Sequence, residues 1–488
     1  MHTIDFIIFL VCTLSIVIYG CSFFRRGMTA DDFTAAGKNL PGWVVGMSIF
    51  STYVSSISYL GYPGKAYATN WNAYVFALSI PIAAWVAVKW FVPFYRQQTS
   101  ISAYAFLEKR FGRWARLYAS TCYLLTEVAR IGTIIFLLAL PMNTLLGWHL
   151  PTVIIITSMA ILVYSMLGGV KGVIWTEAIQ AIIMIGGALL CLGIILFNMP
   201  EGPAQVFRMA ASEGKFSFGS FSSTLTESTF WVCLIYGIFI NLQNYGIDQN
   251  YVQRYHTAKS TRDAKFSVYL GGLLYIPVTA VFFLIGTSLW AYYHVEGAPE
   301  GLKADYIFPY FIVNQLPLGV TGLLIASIFA AGMSTVATAI TSSSTIVLTD
   351  FYQTLRPKAN NRERLWVLKV ASVCIAMAGV GISLAMINVE STLDAWWKLS
   401  SVFSGGMLGL FLLGIAVKRA KHIDAFLGVV CGVLVIAWIS IGQHQPQLNS
   451  ETSPVRLHEN LSIVFGTITI FLVGFLMSNV IRKILKKK

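Results

Sequence analysis

Residues 48–58 read Ser-Ile-Phe-Ser-Thr-Tyr-Val-Ser-Ser-Ile-Ser, and Gly-Tyr-Pro-Gly follows at 61–64. This polar stretch lies inside an apolar run at 41–69 that is long enough to cross a bilayer as a helix. Within a membrane, the backbone leaves the helix only where protein or a water-lined cavity satisfies its polar groups. The stretch therefore predicts a broken transmembrane helix beside a cavity, although single Ser and Thr residues also serve as ordinary contacts between helices.

A second polar stretch, Asn-Leu-Gln-Asn-Tyr-Gly-Ile-Asp-Gln at 241–249, lies inside the apolar run 227–253. These two runs are the first and the sixth in chain order when an extra N-terminal run is set aside. That spacing is expected where two five-helix repeats of inverted topology each begin with a broken helix, with substrate and ion sites at the breaks. We predict an extra helix at 4–24, repeats at 41–199 and 227–416, and two additional helices within 424–481.

Composition predicts that almost the whole chain lies in a membrane. Of the 488 residues, 56% are hydrophobic and 11% are charged, whereas soluble domains have about 25% charged residues. Thirteen apolar stretches are long enough to span a bilayer. The predicted fold class is an all-α polytopic membrane protein, a single transporter domain surrounded by lipid. Composition excludes a soluble enzyme, a disordered chain, a disulfide scaffold and a nucleic-acid-binding protein.

The basic residues predict an orientation. The net charge is +13, and 26 of the 34 Lys and Arg residues fall on one side if the N-terminus lies outside and the C-terminus lies in the cytoplasm. That set places Arg116 and Arg254 in cytoplasmic loops of a protein of the plasma (inner) membrane. No hydrolase, nucleotide-binding or zinc motif occurs in a credible context, so we expect neither an enzyme nor an organic cofactor.

Hydroxyl groups are concentrated in the apolar run 317–350, between residues 330 and 345. Sodium is a hard cation and takes several oxygen ligands, by the logic that applies to calcium. Carbonyl groups at the break near 48–58 and hydroxyls of this run would form a neutral cage. Such a neutral site suits a monovalent ion that must be released from the site again in each transport cycle.

Three charged residues are predicted at membrane depth, where charges are functional candidates. Arg130 and Glu127 share one helix face. Arg130 either binds a substrate carboxylate, for which its planar guanidinium group is suited, or forms a structural ion pair in which Glu127 neutralises its charge. Glu177 is either an ion ligand or gate, or the partner of a nearby cation.

Three motifs resemble those of the sodium:solute symporter family: Gly61–Tyr67 resembles GxPGxAY, Asp248–Tyr255 resembles DQxxVQRY, and Ala330–Tyr352 resembles AAxMSTxxS…SSSTxxxxDxY. The stretches 29–32, 172–176 and 414–419 look most like the bacterial sialic acid branch. The resemblance implies the inverted-repeat fold of the leucine transporter and symport coupled to Na⁺ by alternating access.

The resemblance also implies a sodium site formed by three carbonyls and two hydroxyls, at Ser51, Val54, Ala331, Ser334 and Thr335. The sialic acid branch has a second sodium site, and its positions here include Glu177 and Thr338. Glu177 stands where the branch has Asp, and Ala337 stands where it has a hydroxyl. We therefore expect one sodium ion.

For the substrate, the resemblance implies contacts from residues of the first and third spans, and the polar stretch of span 6 adds further candidates: Tyr53, Ser55, Ser58, Arg130, Asn241, Gln243 and Asn244. Tyr53 replaces a small hydroxyl residue, and Ala73, Ala77 and Glu127 also depart from the branch. We expect a carboxylated or N-acylated sugar such as sialic acid, carried by a monomer. A neutral sugar or a monocarboxylate is the alternative.

Overall fold

The computed structural model describes residues 2–25, 27–297, 301, 303–388, 400, 406–442 and 457–485. Over these residues the regular structure is helical, with one isolated β-bridge between Leu40 and Ala258. The all-α prediction is therefore confirmed. The main helices are α1 (Thr3–Cys21), α2 (Ala30–Ala35), α3 (Gly42–Tyr53), α4 (Ser56–Ala68), α5 (Asn72–Arg96), α6 (Ala105–Phe111), α7 (Arg113–Leu146), α8 (Leu150–Phe197), α9 (Pro203–Ser212), α10 (Phe230–Ile247), α11 (Gln249–Thr257), α12 (Thr261–Glu296), α13 (Ala304–Asn314), α14 (Val320–Leu355), α15 (Asn361–Ala385), α16 (Met407–Ala416), α17 (His422–Gly442) and α18 (Leu461–Leu485).

Ten helices of the described ranges are long and apolar enough to cross a membrane, and the bent pair α3–α4 makes eleven. The predicted count of thirteen spans is not confirmed. One difference arises because α8 is a continuous run of 48 residues, about 72 Å at 1.5 Å per residue, or twice a bilayer core. It bends at Gly169, whose φ of 55° and ψ of −164° favour glycine. This bend lies at the boundary predicted between the spans 150–169 and 172–199. Half of the predicted span 393–416 lies outside the described residues, and the other half includes α16.

The two predicted breaks are present, and each has a local cause. Helix α3 ends at Tyr53, Val54 and Ser55 are extended, and α4 begins at Ser56 with a bend of 54°. The second break lies at Asp248 rather than at the glycine in the middle of the polar stretch. The Asp248 carboxylate accepts a hydrogen bond from the amide of Asn250 at 2.7 Å and so caps α11.

Helix α4 packs closely against α12, and the approach explains the glycine at position 286 of α12. A Cβ at Gly286 of α12 would lie 2.1 Å from the carbonyl oxygen of Pro63. Glycine at position 286 lets α4 lie directly against α12.

Helix α14 is the central helix of the fold, since 94% of its apolar membrane-spanning segment is buried inside the protein. It can therefore carry many hydroxyls at membrane depth without exposing them to lipid. The extra helix α1 contacts its beginning, where the Asp5 carboxylate accepts hydrogen bonds from the amides of Gly319 at 2.7 Å and Gly322 at 3.1 Å. A carboxylate at a helix N-terminus is electrostatically favourable.

Candidate functional site

Helix α3, just before its break, meets α14 at one hydroxyl of the predicted sodium site, that of Ser334, and Thr335 follows Ser334 in α14. The Ser334 hydroxyl lies 3.4 Å from the carbonyl oxygen of Ser51 and 2.9 Å from that of Ala331. The Thr335 hydroxyl lies 3.2 Å from the same Ala331 oxygen. The structure thus brings together four of the five predicted residues. Val54, the fifth, is buried and lies in the extended segment of the break.

The oxygens of the predicted site are themselves uncharged, and the residues that carry them are buried. Ser51, Val54, Ala331, Ser334 and Thr335 all have no solvent-exposed area. Within the described ranges, no group of three or more His, Cys, Asp or Glu side chains could hold a metal ion. Carbonyl and hydroxyl oxygens are suitable ligands for a hard cation, and a site without a carboxylate attracts a monovalent ion less strongly than a charged one.

Arg130 lies beside the same break. One of its Nη atoms donates to the carbonyl oxygen of Thr52 at 3.1 Å, and the other lies 3.6 Å from the Glu127 carboxylate. Arg130 keeps 17% of its side chain exposed, whereas Glu127 keeps 1%. The guanidinium is therefore near Glu127, while part of the Arg130 side chain remains exposed, so the two interpretations of Arg130 are not exclusive.

Tyr53, the last residue of α3, lies among three other tyrosines. Its ring centroid is 5.0 Å from that of Tyr251, 5.1 Å from that of Tyr275 and 5.7 Å from that of Tyr245. We call these four residues the tyrosine cluster. The sequence indicates Tyr53 alone, because nothing in a single sequence shows that three tyrosines from three other helices, α10, α11 and α12, surround it.

The remaining substrate candidates lie in different places. Ser55 and Ser58 are buried at the break, and the Ser58 hydroxyl lies 3.5 Å from the carbonyl oxygen of Tyr53. Asn241 is buried and donates to the Ser79 hydroxyl of α5 at 2.9 Å, which anchors α10 to α5. Gln243 is buried and Asn244 is half-buried on α10.

Glu177 lies in a buried cluster with Arg254, a residue that the distribution of basic residues predicts to lie in a cytoplasmic loop. Arg254 is 1% exposed, and one of its Nη atoms lies 2.8 Å and 2.7 Å from the two carboxylate oxygens of Glu177. The prediction that Arg254 lies in a cytoplasmic loop is therefore wrong, because α11 turns inward and buries it. Its place in the Asp248–Tyr255 motif was the one signal that could have indicated this.

A second ionic cluster was also missed. Asp350 of α14 is fully buried and accepts hydrogen bonds from Arg116 at 2.7 Å, Ser102 at 2.8 Å and Ser120 at 2.5 Å. Arg116 had been assigned to a cytoplasmic loop, but it lies in α7 and its side chain is 11% exposed.

Comparison with known proteins identifies the family. The sequence model of the sodium:solute symporter family matches residues 33–432. The chain belongs to the sodium:solute symporter family. It is 32% identical to the sodium/sialic acid symporter NanT of Aliivibrio fischeri over 483 residues, covering 97% of this chain and 92% of that protein. It is 33% identical to the sodium/sialic acid symporter SiaT of Proteus mirabilis over 431 residues, covering 86% of each.

A more distant relative and two solved structures are also similar to this chain. Human sodium-coupled monocarboxylate transporter 1 is 28% identical over 93% of this chain and 76% of its own length. The outward-open, substrate-bound structure of a Na⁺-coupled sialic acid symporter matches with a TM-score of 0.90, 29% identity and 98% of both chains covered. Mhp1 in a closed conformation matches with a TM-score of 0.59 at 14% identity, covering 92% of this chain and 94% of that one, which supports the leucine-transporter-type fold.

Proposed function

We propose that this membrane protein imports a carboxylated or N-acylated sugar, of which sialic acid is the first candidate, together with Na⁺. The observation that carries the proposal is the contact of the Ser334 hydroxyl with the Ser51 carbonyl just before the α3 break, with Thr335 next to Ser334 in α14. The similarity to two sodium/sialic acid symporters over most of the chain suggests the solute.

In this proposal Na⁺ binds between α3 and α14. Its ligands are the carbonyl oxygens of Ser51, Val54 and Ala331 and the hydroxyls of Ser334 and Thr335. A hydroxyl has one proton and two lone pairs, so it can turn a lone pair to the ion and donate its proton elsewhere. Because the ion joins the two helices, it favours the arrangement in which the outer side is open to solute.

The solute binds at the break, next to Arg130. A carboxylate would accept hydrogen bonds from the exposed part of the guanidinium, a pairing for which the planar fork of arginine is suited. Ser55, Ser58, Gln243 and Asn244 offer hydroxyl and amide groups for the polar substituents. The tyrosine cluster offers apolar faces for the carbon–hydrogen side of a sugar ring. Asn241 contributes by fixing α10 against α5.

Import then follows alternating access of the two repeats, 41–199 and 227–416, with the N-terminus outside and the C-terminus in the cytoplasm. A tenfold sodium gradient supplies about 1.4 kcal/mol per ion, and a charge crossing 100 mV adds about 2.3 kcal/mol. Coupling requires that ion and solute favour the same closure step, because a ligand with equal affinity for both states shifts nothing.

A smaller monocarboxylate is the second candidate. Tyr53 is far larger than a serine or threonine and occupies space at the break among Tyr245, Tyr251 and Tyr275. The similarity to the human monocarboxylate transporter covers 93% of the chain. Both candidates place a carboxylate on Arg130 and differ in the volume that the rest of the solute requires.

Uptake into proteoliposomes tests the proposal. The purified protein is reconstituted and given radiolabelled N-acetylneuraminate or lactate, with external sodium or choline. We expect accumulation of one of them above its external concentration in sodium only, and loss of that accumulation when a sodium ionophore removes the gradient. Equal uptake in choline would overturn sodium coupling, and preference for lactate would select the second candidate.

A further inference from the structure

Glu127 of α7 is a buried carboxylate whose contacts are incomplete. Its side chain is 1% exposed, and an Nη of Arg130 lies 3.6 Å from its Oε1, which is too far for a hydrogen bond. The other oxygen, Oε2, is buried and has no hydrogen-bond partner within the described part of the chain. A buried charge is tolerated only when an opposite charge and hydrogen bonds compensate it. An ionised Glu127 therefore lacks part of the stabilisation that a carboxylate at membrane depth requires.

The group that faces Glu127 from α11 does not complete these contacts. The Asn250 side chain lies beside the Glu127 carboxylate, and its Oδ1 accepts a hydrogen bond from the Tyr123 hydroxyl of α7 at 3.0 Å. The Nδ2 of Asn250 is buried and makes no hydrogen bond to any described residue. An unsatisfied acceptor and an unsatisfied donor thus lie in one buried place between α7 and α11, and such groups in a folded protein require an explanation.

A second carboxylate adds negative charge at the same place. Asp248, at the break before α11, is half-buried, and both Glu127 and Arg130 act on it electrostatically. Arg254 also acts on Asp248, but its guanidinium is bound to both carboxylate oxygens of Glu177. When all of them are ionised, these three carboxylates and two guanidinium groups therefore have a net charge of about −1.

The other described neighbours of this site are uncharged at neutral pH. A tyrosine hydroxyl is neutral up to about pH 10, and three tyrosines lie within electrostatic range: Tyr104, Tyr123 and Tyr251. Helix α3 contributes the carbonyl oxygen of Thr52, which accepts a hydrogen bond from Arg130, and α14 contributes the Ser342 hydroxyl near Tyr123. Helix α15 packs against α7 through Gly379 and Ile382. Protonation of a carboxylate is therefore the change available within the site that removes its excess negative charge.

A solute carboxylate on Arg130 would add a further negative charge beside Glu127, and even with Na⁺ between α3 and α14 one excess negative charge would remain. We propose that Glu127 binds a proton on Oε2 when a carboxylate solute binds to Arg130, an inference that rests on the proposed uptake of such a solute. The proton comes from the aqueous solution, converts the carboxylate to a neutral carboxylic acid and returns to solution when the solute leaves. Glu127 lies outside the three motif stretches 61–67, 248–255 and 330–352, so those motifs do not imply this proton.

Proton uptake on solute binding tests this inference in the purified full-length protein. The probe is N-acetylneuraminate or lactate, whichever the uptake assay selects, with saturating Na⁺. Titration calorimetry at pH 6, 7 and 8, in pairs of buffers with different ionisation enthalpies, gives the number of protons taken up per solute bound. We expect net uptake at one or more of these pH values. Zero uptake at all three would overturn the inference.

Two variants locate the proton. Glu127→Gln replaces the carboxylate by an amide that does not ionise, so solute binding to this variant should take up no proton. The control is Glu201→Gln, since the Glu201 side chain is 61% exposed, and this variant should take up as many protons as the wild type. Uptake in Glu127→Gln equal to that of the wild type would place the proton on another group and overturn the assignment.

Uptake kinetics provide a second readout, with the same pH on both sides of the proteoliposome membrane and saturating Na⁺. The KM for the solute should fall at least about fivefold between pH 8.5 and pH 5.5, because protonation removes the like charge beside the solute carboxylate. Glu127→Gln resembles the protonated state and should show the low KM at every pH. The KM is compared because loss of folded protein at low pH lowers the maximal rate and not the KM. A smaller change in the wild-type KM would overturn the inference.

The proton site and the proposed function fail in different ways. Sodium-dependent uptake with a KM that does not depend on pH would contradict the proton site and leave the proposed function intact. Uptake of neither solute in sodium at any of these pH values would contradict the proposed function. Thermal stability measured alongside verifies that Glu127→Gln is folded, and the proton uptake and KM of the wild type decide the inference without that variant.

Discussion

The hydroxyl of Ser334 in α14 lies 3.4 Å from the carbonyl oxygen of Ser51 in α3. This contact connects the broken helix of the first repeat to the central helix of the fold. If sodium binds here, loss of a hydroxyl removes one of five neutral ligands. We expect Ser334→Ala and Thr335→Ala each to raise the sodium concentration for half-maximal uptake at least tenfold, about 1.4 kcal/mol of binding free energy.

The matched control for these two variants is Ser344→Ala. Ser344 is also buried in α14, but its hydroxyl donates to the carbonyl oxygen of Thr341 within its own helix at 3.0 Å. Its removal should leave the sodium requirement within about twofold of the wild type. A sodium requirement unchanged in both Ser334→Ala and Thr335→Ala would refute the site.

Arg130 should be essential if the solute carries a carboxylate. Arg130→Ala removes the guanidinium and is expected to lower kcat/KM for uptake at least 100-fold, since a charge-assisted hydrogen bond in a dry site is lost. Glu127→Gln is the informative partner variant. The guanidinium would keep its contact with the Thr52 carbonyl, and uptake should persist with a lower KM because a competing carboxylate is gone. Retained transport in Arg130→Ala would identify the pair as structural.

The tyrosine cluster should contribute to stability and uptake through the packing of its aromatic rings and not through the Tyr53 hydroxyl. Tyr53→Phe preserves the ring contacts with Tyr245, Tyr251 and Tyr275, and we expect uptake within about threefold of the wild type. Tyr53→Ala deletes a buried aromatic side chain, a change that typically costs about 3–5 kcal/mol for such residues. We expect that variant to lose thermal stability and uptake together. Wild-type thermal stability and uptake in Tyr53→Ala would show that the ring is dispensable.

Hydropathy and local polarity predicted most of the fold. The broken helix at Val54–Ser55 was predictable because hydroxyls, glycine and proline interrupt an apolar run within a few residues. The sodium residues Ser334 and Thr335 were predictable because a motif fixes their spacing. Short helices such as α6 and α9 were missed, since 7 and 10 residues are too few to register as a membrane span.

The ionic clusters were not predictable in the same way. A count of basic residues on each side assigns Arg116 and Arg254 to loops, because it considers position along the chain and not burial. Arg254 and Glu177 are separated by 77 residues and meet only after α8 and α11 have packed. Contacts over such sequence distances follow from the tertiary fold, which hydropathy does not specify.

His256, in α11 beyond the predicted membrane span 227–253, should make stability depend on pH. Burial lowers the pKa of His256 to about 4, and the positive charges of Lys38 and Arg96 act in the same direction. In the unfolded chain the pKa of histidine is about 6.5. Between these values the unfolded state binds the extra proton, so stability is fully present above pH 6.5 and is lost as the pH falls toward 4.

We therefore expect the melting temperature in detergent to fall between pH 7.5 and pH 5.0, and His256→Gln to reduce that fall. The exposed residue His422 provides the control position, and His422→Gln should show the wild-type fall. A fall of the same size in His256→Gln and the wild type would mean that other groups determine the acid sensitivity.

Asp350 should be the most sensitive position outside the proposed binding sites. Its carboxylate is fully buried and holds together α7, through Arg116 and Ser120, and the segment before α6, through Ser102. Asp350→Asn leaves the Arg116 charge without its buried partner, and breaking such a pair costs about 3–5 kcal/mol. We expect a marked drop in melting temperature and in the yield of folded protein.

The control variant is Glu108→Gln, which removes the other carboxylate that contacts Arg116, at 2.5 Å. That carboxylate is 34% exposed, so its loss should cost at most about 1 kcal/mol of stability. If both variants melted at the wild-type temperature, the Asp350 cluster would not be a determinant of stability.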